Sequence, residues 1–527
     1  MGNDGEWLHD FEELDPLFSS PRIPTDAEIV EIVDRFVQGD LTDLEAEAAF
    51  ERLRRAKKQV LPVLMDLCRS PEPRFHSVGA DLIAELELTQ AKKPLRALVE
   101  DPALEDEHKL FLLRALEAIG GLSPGENPLF YLKDPERLVQ KAQEMFFDVI
   151  GDPLALTRLL EEQFEGGGFY PLFDARMLDE IASARDRRTL NFFRCLLHAP
   201  QDKVVLRAIE GLCKIGDPDV IPTLEERAMY DPSPQVRKAA QNAVSRLSNE
   251  ARAHEPSILH LPVTPPSVER CALSTVDGWG SQMCILIWRT SEGVRVGVNI
   301  LLSDELGIQD CTVLEGEKPV TALEQALEHH FDVDGEGASL SIVEVSLAQA
   351  RTELERAYRI SLHARKRLPP VYIALRDWLL GEDTRSVTTY PVPQVRPEEV
   401  DTLLQRSPEL FQLVEFSSWI FDLPGSEARW RRYGRKFLVT ESEEARAALI
   451  TQALTKVLNP ELCARLKTRL ERQAWFLAQL YEEDELPKMA LAASAALGDA
   501  SKVPPLEHPF LREMMRKTLA SVNDTSI

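Results

Sequence analysis

Helix-breaking residues fall through the first half of the chain at a near-constant interval. Pro71, Pro102, Pro135, Gly168, Pro200 and Pro232 are separated by 31, 33, 33, 32 and 32 residues. A second series keeps the same beat: Leu86, Ile119, Ile150, Ile181, Ile215 and Leu247, each an aliphatic residue closing a helical stretch, stand 33, 31, 31, 34 and 32 residues apart. Two interleaved signals with one period imply a solenoid of helix pairs, each unit burying its apolar face against its neighbours. Such a fold offers long surfaces to partners and seldom a compact catalytic pocket.

The last unit is the clearest. Asp217-Pro218 starts its first helix and Asp231-Pro232 breaks the chain. Val236, Ala240, Ala243, Val244 and Leu247 then form the buried stripe of the second helix. Val204, Ala208, Gly211, Leu212 and Ile215 occupy the equivalent places 32 residues earlier. Small residues at Ala208, Gly211, Ala240 and Ala243 let neighbouring helices approach closely. Thr25-Asp26 offers an N-cap to the first helix, where Ile29, Ile32, Val33 and Phe36 share a face. Prolines early in several first helices (Pro62, Pro94, Pro128, Pro222) are tolerated in a first turn and kink a helix further in. With Asp-Pro at the breaks and V-R-x-A-A at Val236 to Ala240, residues 26–250 resemble HEAT repeats in the short form of many bacterial proteins. The ankyrin T-P-L-H and the tetratricopeptide W…L-G…Y patterns are absent. The resemblance implies a HEAT-like α-solenoid and no particular activity. The iron hydroxylase built from HEAT repeats carries His-Glu pairs inside its repeats, whereas here the His-Glu step is His254-Glu255, beyond them. Phycobilin lyases also use short HEAT-like repeats, but no cysteine here points to bilin chemistry.

The rest of the chain changes period. Residues 1–25 read as an irregular acidic lead and 251–267 as a proline-rich linker. Between 268 and 385, short β-rich runs (CALSTVDG, SQMCILIWRT, VRVGVNILLSD, IQDCTVLEG) alternate with turn signals at Asp277-Gly278, 291–293 and 304–307. A helix TALEQALEHHF, a strand SLSIVEV and a long helix from about Ser346 to Lys366 follow. This pattern predicts a small α+β domain around an antiparallel sheet, and its D-G-x-G at 277–280 with L-x-D-x-x-G-I-x-D at 302–310 resembles a domain found in bacterial HEAT-repeat proteins that has no assigned activity. Residues 395–522 read as a C-terminal helical domain. The fold class expected is therefore mainly α, in three parts.

Composition narrows the function. With 61 Lys+Arg against 87 Asp+Glu, the net charge of -26 repels nucleic acid and anionic membrane over most of the surface. The start MGNDGEWLHDFEELD has no apolar run and is not a signal peptide, and the longest uncharged apolar run, MCILIW, is too short to span a bilayer. Seven cysteines without a C-x-x-C pair, three of them (Cys68, Cys195, Cys213) in apolar helical segments, fit a reduced, cytoplasmic chain.

Candidate sites follow from local chemistry. Asp332 to Gly337 resembles the start of a calcium loop, but its twelfth position falls on Val343 with Glu344 one residue late, so a turn is expected. His329 and His330 are adjacent, hence about 100° apart on a helix, and unsuited to sharing one metal ion. Asp277-Gly278-Trp279-Gly280 joins two strands and leads into no helix, which favours a hairpin turn over a phosphate loop. Asp277, Asp304 and Asp310 form an alternative carboxylate site if the sheet gathers them, for metal binding or acid–base work, although such residues more commonly cap turns. The most unusual segment is Arg429, Trp430, Arg431, Arg432, Tyr433, Gly434, Arg435 and Lys436. Its cations and aromatics suit phosphates and bases, or equally pairing with the protein's own acids or with an acidic partner helix, with Trp430 in the core. Arg365, Lys366 and Arg367 fit favourable placement at a helix C-terminus. Arg207, Arg237 and Lys238 are candidate contacts on the repeats. The reading that results is a non-enzymatic protein–protein interaction scaffold or adaptor, without cofactor or metal. Its partner is another protein, nucleic acid being disfavoured by charge. An enzyme or metal-binding protein using the carboxylates, and a nucleic-acid-associated factor using 429–436, are the alternatives.

Overall fold

The computed structural model describes residues 16–20, 22–39, 41, 43–123, 125–164, 175–250, 265–328, 331–333, 338–381, 392–498 and 503–522. The chain forms two compact units, 1–146 and 147–527.

The first unit holds a single turn α1 (Pro16–Ser19), then α2 (Asp26–Gln38), α3 (Asp43–Arg55), α4 (Lys57–Leu67), α5 (Pro73–Glu85), α6 (Lys92–Val99) and α7 (Asp106–Ala118). A 3-10 turn Pro128–Tyr131 and the start of α8 (Pro135–Gly151) complete it. The Thr25 N-cap forms as expected, a capping box in which Thr25 accepts the Glu28 N–H and Glu28 reaches back to the Thr25 backbone. At Pro128 the helix expected from the repeat is only a 3-10 turn. Asn127 caps it at Leu129, and the next break, at Asp134-Pro135, leaves no length for more. One apolar core runs from Phe18 to Ile119. Within it the rings of His76 and His108 stack 3.7 Å apart, facing the Ser70 and Cys68 carbonyls at 3.2 and 2.8 Å.

The second unit begins in α8 and continues with α9 (Pro153–Phe164), α10 (Ala175–Ser183), α11 (Thr189–Leu196), α12 (Asp202–Ile215), α13 (Ile221–Tyr230) and α14 (Pro234–Glu250). All six residues of the aliphatic series, from Leu86 to Leu247, are buried. Gly211 shows why small residues recur on this face, since a Cβ there would lie 2.5 Å from the Phe193 ring of α11.

Strands β1 (Ser267–Ser274), β2 (Ser281–Arg289), β3 (Arg295–Ser303) and β4 (Gly307–Glu315) follow. Then come α15 (Glu317–Glu328), β5 (Phe331–Val333), β6 (Ala338–Leu340), β7 (Ile342–Glu344), α16 (Leu347–His363) and α17 (Pro370–Leu380). The main sheet is antiparallel in the order β4-β3-β2-β1-β7, with β5 and β6 paired separately. Val296, Val298, Ile300 and Leu302 are wholly buried on one face, which also carries Trp288, its ring edge-on to Trp378 of α17. The expected strand SLSIVEV is in fact two, β6 and β7. Ser341 breaks it, its carbonyl accepting the Thr275 N–H at 2.8 Å and its hydroxyl donating to buried Glu415 at 2.7 Å. The long helix ends at His363 rather than near Lys366, where Arg365 takes a left-handed backbone (φ 53°).

The C-terminal helices are α18 (Val400–Arg406), α19 (Glu427–Val439), α20 (Glu443–Val457), α21 (Pro460–Leu480), α22 (Glu485–Gly498) and α23 (Pro509–Ser521). They enclose a core that includes Phe416, Trp419, Trp430, Leu470 and Phe510. The described chain is mainly helical with a small antiparallel sheet.

Candidate interaction surface

The aspartates at the repeat breaks are structural anchors. Asp217 accepts the Asp219 N–H at 2.9 Å, and Asp231, fully buried, accepts the Ser233 N–H at 2.9 Å. Arg237 turns back onto its own loop, donating to the Asp231 and Pro232 carbonyls at 2.6 and 3.0 Å. Arg207 is exposed and pairs with Glu210 at 2.7 Å, one turn away, while Lys238 is exposed on α14. Of the three cations singled out from the repeats, Arg237 thus fastens a turn and the other two face solvent.

Arg367 does more than sit beyond a helix end. It donates to Asp202 at 2.6 Å, to Asp231 at 3.1 Å and to the Ala199 and Pro200 carbonyls at 2.8 and 3.0 Å. Beside it the buried His198 accepts the Leu368 N–H at Nδ1, 3.0 Å away. Burial, with the Arg227, Arg376 and Arg367 guanidiniums around it, holds its pKa well below the usual 6.5. Asn191 adds a bond to the Ala374 carbonyl at 3.0 Å. The segment joining α16 to α17 is bolted to the helices α11 to α14.

The carboxylates of the sheet hold turns and a neighbouring helix. Asp277 accepts the Trp279 and Ser281 N–H groups at 2.9 and 2.6 Å, closing the turn between β1 and β2, while burial raises its pKa. Gly278 is required there: a Cβ would stand 2.3 Å from the Ser418 carbonyl oxygen. Asp304 is gripped in a fork by Arg469 of α21, at 2.6 and 2.8 Å, and Arg469 also donates to the Gly278 carbonyl at 2.6 Å. Asp310 is exposed on β4 and accepts the N–H of the next residue, Cys311, at 2.9 Å. No group of three His, Cys, Asp or Glu side chains among the described residues is placed to hold a metal ion. His329, His330 and residues 334–337 of the calcium-like stretch lie outside the described residues. A cleft of about 660 Å3 lies beside the turn, with Trp279, Leu301, Leu306, Leu462 and Met514 in its walls.

Around the same joint, Glu353 of α16 pairs with Arg472 of α21 at 3.0 Å, and Gln473 accepts the Val276 N–H at 3.1 Å. Arg469, Arg472 and Gln473 went unnoticed in the sequence, being ordinary polar positions of an amphipathic helix. Their partners lie 165, 119 and 197 residues away.

The basic-aromatic segment forms α19, and the helix sorts its residues by face. Trp430 is buried, its indole N–H donating to the Pro424 carbonyl at 2.9 Å, with the Tyr433 ring 5.4 Å away and half-buried. Gly434 and Phe437 complete the inner face. Arg429, Arg432, Arg435 and Lys436 are exposed, and Arg431 is half-buried. The aromatics therefore face the core, and the cations face solvent.

Residues 169–253 match the family model for HEAT repeats. The chain contains HEAT repeats. The matched stretch takes in α10 to α14, so the aspartates bonded to Arg367 belong to the HEAT repeats themselves. No curated protein matches the chain. Among the described residues, no helix is long and apolar enough to cross a membrane.

Proposed function

We propose that this HEAT-repeat protein is a non-enzymatic adaptor that binds another protein. The observation that carries this reading is the run of repeats itself, a kind that commonly mediates protein–protein contact. Their apolar stripes are buried in neighbouring helices while Arg207 and Lys238 face solvent. The chemistry of the conspicuous carboxylates supports it as well. Asp277 and Asp304 are engaged in a turn and a forked ion pair, leaving little for acid–base work. Seven buried cysteines, none in a disulfide, fit a reducing, cytoplasmic setting.

Affinity purification of the tagged full chain from its native host tests the adaptor reading. The expected result is one protein recovered in stoichiometric amount, with less retained when Arg207 and Lys238 are both changed to Glu. Recovery of background alone would overturn the reading. A second reading, an enzyme of the sheet domain, is favoured by the cleft beside the turn that half-buried Asp277 closes. It requires a ligand or divalent ion that titrates calorimetrically into the full chain and is lost in Asp277→Asn.

A further inference from the structure

Several cations on the other C-terminal helices are neutralised. Arg406 binds Glu409 and Glu485 at 3.0 and 2.8 Å, Arg446 binds Glu443 at 3.1 Å, and Arg465 binds Glu305 at 2.9 Å. Arg516 and Glu513 pair at 2.5 Å. The outer face of α19 breaks this pattern. Arg429, Arg432, Arg435 and Lys436 stand at i, i+3, i+6 and i+7, opposite the buried Trp430, Gly434 and Phe437. Among the described residues none of the four is in an ion pair, and the Arg432 Nε donates only to the Ala428 carbonyl, at 3.3 Å. Four like charges spread over about 10 Å of helix repel one another, and a row of carboxylates laid alongside would relieve that repulsion. At the C-terminal end of the row the helix exposes Leu438 (51%) and Val439 (77%). Leu438 also enters a cavity of about 710 Å3, with Phe437, Ile450 and Pro509 in its walls. Arg512, lining the same cavity, donates to neutral acceptors: Thr451 at 3.0 Å and the Leu506 and Ala447 carbonyls at 3.1 and 3.3 Å.

We propose that this face of α19 docks an acidic amphipathic segment of a partner protein, its carboxylates along the four cations and an apolar side chain against Leu438, Val439 and the cavity. Charge complementarity selects the occupant. A chain of net charge -26 repels a polyanion as a whole, so binding must come from short-range pairing at this row plus an apolar anchor. A nucleic acid offers no such anchor, and the indole it would stack on is buried under Pro424. The proposal rests on the adaptor reading and names the surface that reading uses.

The test is fluorescence anisotropy of a labelled synthetic peptide of repeating Glu-Glu-Leu composition, titrated with the full chain. Saturable, salt-weakened binding is expected, falling at least about tenfold when Arg429, Arg432, Arg435 and Lys436 are all changed to Glu. If circular dichroism shows that variant unfolded, Arg432→Glu with Lys436→Glu gives the same reading at smaller amplitude, and Val439→Ser reports the anchor separately. Absent binding, or binding unchanged by charge reversal, overturns the proposal. So does a single-stranded oligonucleotide of equal length that binds more tightly and loses its binding on reversal. A native partner retained equally by the charge-reversed chain overturns this surface and leaves the adaptor reading standing. Peptide binding in a chain that recovers no native partner does the opposite.

Discussion

Asp304 owes its place to Arg469, whose side chain is about as hidden as its own. Asp304→Asn would leave the buried guanidinium with only the more exposed Glu305, 3.5 Å away, as counter-charge, and unfolding in urea should show a loss of about 3 kcal/mol. Replacing both partners by apolar residues of similar size should cost far less, because no uncompensated charge remains. His198 supplies a pH dependence. Its pKa is depressed in the folded chain, so below about pH 6.5 the unfolded state binds more protons than the folded one. Stability is therefore full above that range and falls as the pH drops through it. His508, held low by burial beside the Ala493 carbonyl, acts in the same direction. The urea midpoint should decline between about pH 7.5 and 5.5, and the decline should be shallower in His198→Gln. The sequence marked Asp304 as unusual, yet its partner lies 165 residues away on a helix with no distinguishing local signal.

The helix α19 separates what its composition had mixed. Trp430→Ala removes a buried indole and its bond to Pro424, and thermal unfolding should show a loss of about 3–5 kcal/mol. Arg432→Ala and Lys436→Ala, on the exposed face, should stay within about 0.5 kcal/mol. The β1–β2 turn makes a complementary case. Gly278→Ala drives a methyl into the Ser418 carbonyl and the Trp419 Cα, which are backbone and cannot swing aside. A cost of about 1–3 kcal/mol in denaturant unfolding is expected. The turn itself was legible from Asp277-Gly278 between two β-rich runs. The split of SLSIVEV at Ser341 was not, because the break depends on Thr275 and Glu415, remote in sequence.

Two units with separate apolar cores, one from Phe18 to Ile119 and one including Leu403 to Leu519, need not unfold together. Six of the seven tryptophans lie in 147–527, and Trp7 is the exception. Tryptophan fluorescence thus follows mainly the second unit, whereas far-ultraviolet ellipticity follows helices of both. The two probes should give non-coincident denaturant transitions, and coincidence would mean a single cooperative block. The boundary at 146/147 falls inside α8, within a stretch the period alone treats as continuous. What the chain determines by itself is the repeat, its buried aliphatic series, the capped helix α2, and the strand-rich segment with its turns. These rest on periodicity and on interactions within a few residues, which local sequence encodes directly. Tertiary structure decided the rest: that Arg367 and His198 tie the α16–α17 junction to the HEAT repeats, and that Arg469 takes up Asp304. It also left a row of cations on α19 without ion pairs among the described residues. Such pairings join residues more than a hundred positions apart, and only the packed fold says which charges meet and which are left facing solvent.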